Sequence, residues 1–184
     1  MTRAACPSIE RRAFPEFRAL AGARRLEGYA ATFGAEARLG DFVETIEPGA
    51  FRASLDGDIL ALVDHDPGLV LGRTRSGTLR LAEDSRGLAF SLDLPDTQAG
   101  RDIIALAARG DIGGMSFGFL IPAGGEVWQG NRRSLRAIDL REVSVVQAFP
   151  AYPDTQIALR ARGEADARAA RRRAVELRER TPWA

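Results

Sequence analysis

The chain has 184 residues, 45% of them hydrophobic and 28% charged, with a net charge of +1; this suits one domain with a core and is short for two. No apolar run approaches the roughly 20 residues that cross a bilayer, and the single cysteine, Cys6, excludes an internal disulfide and a cysteine metal cluster. The 26 basic residues are all arginine, yet they are nearly balanced by 25 acidic ones, which argues against specific nucleic-acid binding.

Residues 1–24 are arginine-rich, contain Pro7 and Pro15, and read as a flexible N-terminal arm. They lack the apolar segment of a signal peptide, so the cytoplasm is the expected compartment. From residue 25 the pattern becomes that of a folded domain. Strands are expected at 26–33 (LEGYAATF) and at the start of 43–51 (VETIEPGAF), where Pro48 opens a helical turn. The apolar strand 58–65 (DILALVDH) ends at His65, with Asp66-Pro67-Gly68 expected to form the turn that follows. Three short strands come next, LVLGRT, TLRLAED and GLAFSLDL, separated by Ser76-Gly77 and Arg86-Gly87 turns. Leu88, Phe90, Leu92 and Leu94 alternate along the last one, the mark of a half-buried strand.

The spacing predicts a helix within 95–112, with Thr97 as N-cap, an apolar stripe of Ile103, Ile104 and Leu106, and Gly110 at the C-terminal end. Strands are expected again at 114–121, 126–128, 134–138 and 142–147. Residues 161–184 have few large apolar side chains and favour helix, so they read as a basic, solvated helical tail. No repeat interrupts this order. The whole reads as α+β of mainly β character, a single β-barrel-like domain over 25–160 with flanking helices.

Within the 114–121 strand, GMSFG matches the G-x-S-x-G pattern of a nucleophile elbow. That reading fails, because the only histidine, His65, precedes the serine and the residues after Ser116 continue as strand. The local pattern still singles out Ser116. Met115, Phe117, Phe119 and Ile121 share one face, and Ser116, Gly118 and Leu120 share the other. Gly114 and Gly118 leave open space on either side of the hydroxyl, as a substrate backbone approaching a nucleophile would require. The alternative is a small residue in a glycine-rich strand that bends around a barrel.

His65 is the one candidate for an imidazole base. Its flanking residues Asp64 and Asp66 project away from its own face on an extended segment, so a third group must come from elsewhere to fix its tautomer. In 140–153 (LREVSVVQAFPAYP), Val143 and Val145 share one strand face while Glu142, Ser144 and Val146 share the other. Glu142 can therefore reach inward beside the Ser116 strand. Taken singly, His65 also reads as a structural histidine and Glu142 as a surface carboxylate.

Taken together, VDHDP, GMSFGF and LREVSVVQAFPAYP, with EPGAF and LPDTQAGRDI, resemble the prohead (capsid-maturation) proteases of tailed bacteriophages, distant relatives of the herpesvirus assemblins. The likeness runs in order over roughly 26–160. It implies a serine endopeptidase on an assemblin-like β-barrel, with Ser116 and His65 as the catalytic pair and Glu142 in the third position. It further implies oxyanion donors near Ala151 and Tyr152 and no cofactor or metal, with Gly114 and Gly118 as the candidate substrate-binding positions. The implied substrates are scaffold protein or the scaffolding segment of the major capsid protein, inside an immature procapsid in the bacterial host cytoplasm, with self-cleavage of the 161–184 tail and a homodimer as further expectations. The competing expectation is a capsid-associated structural or scaffolding protein that shares the fold without activity.

Overall fold

The computed structural model describes residues 9–14, 17–19 and 24–147. Thirteen strands and one α-helix occur among them. The strands are β1 (Glu10–Phe14), β2 (Phe17–Ala19), β3 (Arg25–Thr32), β4 (Ala37–Leu39), β5 (Phe42–Ile46), β6 (Leu60–Val63) and β7 (Asp66–Arg73). They continue as β8 (Leu79–Glu83), β9 (Gly87–Asp93), β10 (Gly114–Leu120), β11 (Glu126–Gln129), β12 (Arg132–Leu135) and β13 (Asp139–Val146). The helix α1 (Gln98–Arg109) starts where the sequence puts its cap: the Thr97 hydroxyl accepts from the Gly100 N–H at 3.3 Å. It ends at Gly110, whose φ of 77° is the left-handed turn that glycine tolerates best.

Three sheets result, in the orders β1-β10-β13-β6-β7, β11-β12-β5-β4 and β2-β3-β9-β8. The first is mixed, since β13 runs parallel to β6 and its other neighbours pair antiparallel. The mainly β expectation therefore holds, with one α-helix and a 3-10 turn at Arg52–Ser54 among the described residues. Those residues form three sheets rather than the closed ring of a single barrel. The core lies between the sheets, where alternation drives one face of each strand inward. Met115, Phe117 and Phe119 of β10 are fully buried, and Phe117 meets Phe51 edge-on at 5.5 Å and stacks on Phe119 at 5.2 Å.

The N-terminal segment departs from the sequence reading. Residues 10–14 and 17–19 are strands rather than a detached arm, β1 pairing with β10 and β2 with β3. For β1 the reason is a buried ionic cluster. Arg12 donates to Glu44 at 2.5 and 2.8 Å and to Glu10 at 3.0 Å. Arg133 of β12 donates to Glu10 at 2.7 and 2.9 Å, to Glu44 at 2.8 Å and to Glu126 at 2.7 Å. The charges that make ERRAF look solvated are thus what tie β1 to the second sheet. The tail expected over 161–184 lies outside the described residues.

Candidate active site

The first sheet brings the candidate residues together. His65 does not end a strand; with Asp64 it forms the two-residue turn between β6 and β7, where Val63 pairs with Asp66. Both turn residues have positive φ, 47° for Asp64 and 63° for His65, the signature of a type I′ hairpin turn. The expected turn at 66–68 is already strand β7. A histidine in this conformation is uncommon, and strain of this kind concentrates at functional sites. The turn is anchored to the end of β13. Asp64 donates its N–H to the Val145 carbonyl at 3.0 Å, and its carboxylate accepts from the Gln147 backbone and side-chain amides, both at 2.9 Å.

Glu142 stands opposite Gly118 across the β10–β13 pair, and Ser144 stands opposite Ser116. A bulge sets this phase: Phe119 pairs with Leu140 and Gly118 with Glu142, leaving Arg141 without an opposite residue. The extra residue lets Leu140 pack in the core alongside Val143 and Val145 while Glu142 emerges on the other face. Gly118 then makes the room that Glu142 needs. A Cβ at position 118 would sit 2.2 Å from Glu142 Oε1, closer than any real contact, so a side chain there displaces the carboxylate.

The carboxylate is 6% exposed and meets three groups. Oε1 lies 2.6 Å from His65 Nδ1, Oε2 accepts from the Ser144 hydroxyl at 2.5 Å, and Arg11 Nε approaches Oε1 at 3.8 Å. A carboxylate at hydrogen-bond distance from a neutral imidazole can only accept, so Nδ1 carries the hydrogen. Nε2 is then the nitrogen with a free lone pair, the state a general base must have.

Ser116 is 2% exposed and donates its hydroxyl to the Arg12 carbonyl of β1 at 2.7 Å. The structure therefore joins His65 to Glu142 directly and sets Ser116 on the neighbouring strand, with its proton held by β1. Gly114 and Gly118 flank it on β10, and Gly114 has φ of 147°, a backbone that favours glycine. Ala151 and Tyr152 lie outside the described residues. Sequence reasoning gave no role to Ser144 or Arg11. Ser144 did share a face with Glu142 in EVSVV, which was the available signal, whereas nothing local marked Arg11. Among the described residues no group of three or more His, Cys, Asp or Glu side chains is placed to hold a metal ion.

A buried acid that holds the inner nitrogen of an imidazole leaves the outer nitrogen able to take a proton. Comparison with known proteins points to the same chemistry. The family described as caudovirus prohead serine protease matches residues 14–169. Among solved structures, the capsid assembly protease of bacteriophage T4 shares the fold, with a TM-score of 0.52 at 12% identity over 76% of this chain and 96% of that one. No curated protein matches the sequence.

Proposed function

The chain belongs to the caudovirus prohead serine protease family, and from that premise we propose that Ser116, His65 and Glu142 form the catalytic set of a capsid-maturation endopeptidase. The observation that carries the residue assignment is the 2.6 Å bond between His65 Nδ1 and Glu142 Oε1, which joins the chain's only histidine to an acid 77 residues away beside the Ser116 strand. His65 Nε2 takes the Ser116 proton as Oγ attacks a peptide carbonyl, then returns it to the leaving amine. Water repeats the cycle on the acyl-enzyme, giving its proton to His65 and releasing Ser116. Glu142 holds the imidazole in the required tautomer and stabilises its cationic form. Backbone N–H groups near Ala151 and Tyr152 are the proposed donors to the oxyanion, each worth about 3 kcal/mol in such sites. For the cycle to start, the Ser116 hydroxyl must exchange the Arg12 carbonyl for His65.

The proposed substrates are scaffold protein or the scaffolding segment of the major capsid protein, cleaved inside the procapsid in the host cytoplasm. A homodimer and cleavage of the chain's own 161–184 tail belong to the same reading. The bond from Ser116 to the Arg12 carbonyl favours a second reading, a capsid-associated structural protein without activity. Co-expression of the wild type or Ser116→Ala with the capsid protein encoded beside it, read by intact mass, decides between them. Shortened capsid protein with the wild type alone supports the protease. Full-length capsid protein with both, in assembled particles, overturns it.

A further inference from the structure

Glu142 is held at both oxygens, and only one of the two bonds belongs to the set just described. Oε2 accepts from Ser144 Oγ at 2.5 Å. Ser144 is completely buried, and its strand neighbours are Ser116 on one side and Leu62 on the other. A hydroxyl in such a place must find a partner, since burying it without one is unfavourable. Here Glu142 supplies the partner. The terminal torsion of a glutamate is broad and two-fold, so a carboxylate held at one oxygen can swing its plane. With no Cβ at Gly118, Oε1 lies close against the β10 backbone, in space that a side chain would otherwise take.

We propose that Ser144 is a positioning residue of the catalytic site, pinning Oε2 so that Oε1 stays on His65 Nδ1; this rests on the reading of Ser116, His65 and Glu142 as the catalytic set. Ser144 stands opposite Ser116, but its hydroxyl bonds the acid. It acts through Glu142, and the register gives it that role by placing it two residues along the same strand face. Its neighbours in the same strand, Val143 and Val145, face the core, so a serine at 144 is not needed to fill the core.

The test uses the full chain with 15N-labelled histidine. His65 is the only histidine, so one imidazole spectrum reports the bond directly, and the capsid-protein segment processed in co-expression serves as substrate. Ser144→Ala is expected to lower kcat about tenfold, with KM changed less than about twofold, and to speed water exchange of the Nδ1 proton about tenfold, the scale of losing a supporting hydrogen bond behind a functional group. Ser144→Cys keeps the volume but offers only a weak S–H donor, so it falls between wild type and alanine; it carries the same comparison if the alanine variant does not fold. Unchanged kcat and unchanged Nδ1 exchange in both variants overturn the role, even if the melting temperature drops. Glu142→Gln separates the role of Ser144 from that of the catalytic set. Loss of its activity beside a fully active Ser144→Ala removes only the role of Ser144, whereas full activity in Glu142→Gln removes the catalytic reading and this inference with it.

Discussion

Strands β5 and β13 each present a buried acid, in contrasting company. Glu44 is 2% exposed and Glu142 is 6% exposed, so burial hardly distinguishes them. Glu44 is gripped by the Arg12 and Arg133 guanidiniums, which join Glu10 and Glu126 in one ionic cluster. Glu142 instead bonds an imidazole and a hydroxyl, with the Arg11 Nε at 3.8 Å. Guanidinium does not give up a proton in proteins. Burial alone would lower Arg12 and Arg133, but Glu44 and Glu10 more than offset it and hold both above their ordinary range. That cluster can fix β1 in place but cannot relay a proton. Imidazole and hydroxyl can, so the partners of an acid, more than its depth, separate a clamp from the proposed reaction centre. Alternation along β1 keeps the two apart by sending Arg12 into the cluster and Arg11 toward Glu142.

The contrast can be broken at either acid. Ser116→Ala should reduce cleavage by about 10⁴-fold or more, as removing a catalytic nucleophile does, with an unchanged melting curve. Glu142→Gln keeps the shape but loses the charge, and should reduce kcat by up to about 10⁴-fold, again with little change in stability. The ionic cluster should respond the other way round. Arg133→Met removes the bonds from Arg133 to Glu10, Glu44 and Glu126, and a loss of about 3–5 kcal/mol is expected in urea unfolding. Gly118→Ala sharpens the comparison, because its Cβ collides with Glu142 Oε1 rather than with the core. It should cut kcat roughly tenfold to a hundredfold, on the scale of disturbing a supporting contact, and cost at most about 1–3 kcal/mol of overpacking.

The smallest effect belongs to acids paired with arginine in water. Asp93 is held below the ordinary carboxylate range by hydrogen bonds from Arg25 and then Arg80. A lowered folded-state value stabilises the fold above the ordinary range, and that gain disappears as pH falls through the lowered value. Asp93→Asn should therefore flatten the acid side of the stability curve only slightly, because the pair is solvent-screened. Thermal melts across acid pH check this.

Much of the site was legible because it depends on strand period. The alternation in GMSFGF put Ser116 opposite the buried Met115, Phe117 and Phe119, and EVSVV put Glu142 on the face away from Val143 and Val145. The caps of α1 were equally local, Thr97 and Gly110 being recognisable by residue type alone. Three features were not legible, each because it depends on residues far away in sequence. The strand β1 is stabilised by Glu44 and Arg133, 32 residues from Arg12 and 123 from Glu10; read locally, its charges suggest solvent. The turn at Asp64–His65 carries no glycine or asparagine, and is held from outside by Gln147 and the Val145 carbonyl. The bulge at Arg141 needs the register with β10, so the pairing of Ser144 with Ser116 could not be read from either strand.

The most direct test of the central claim is to label the wild-type chain with a serine-directed phosphonate probe and map the adduct by mass spectrometry, beside Ser116→Ala and His65→Ala. One adduct on Ser116 is expected, none in Ser116→Ala, and labelling reduced by orders of magnitude in His65→Ala. Capsid-protein cleavage that persists in Ser116→Ala, or an adduct on another serine, would contradict it.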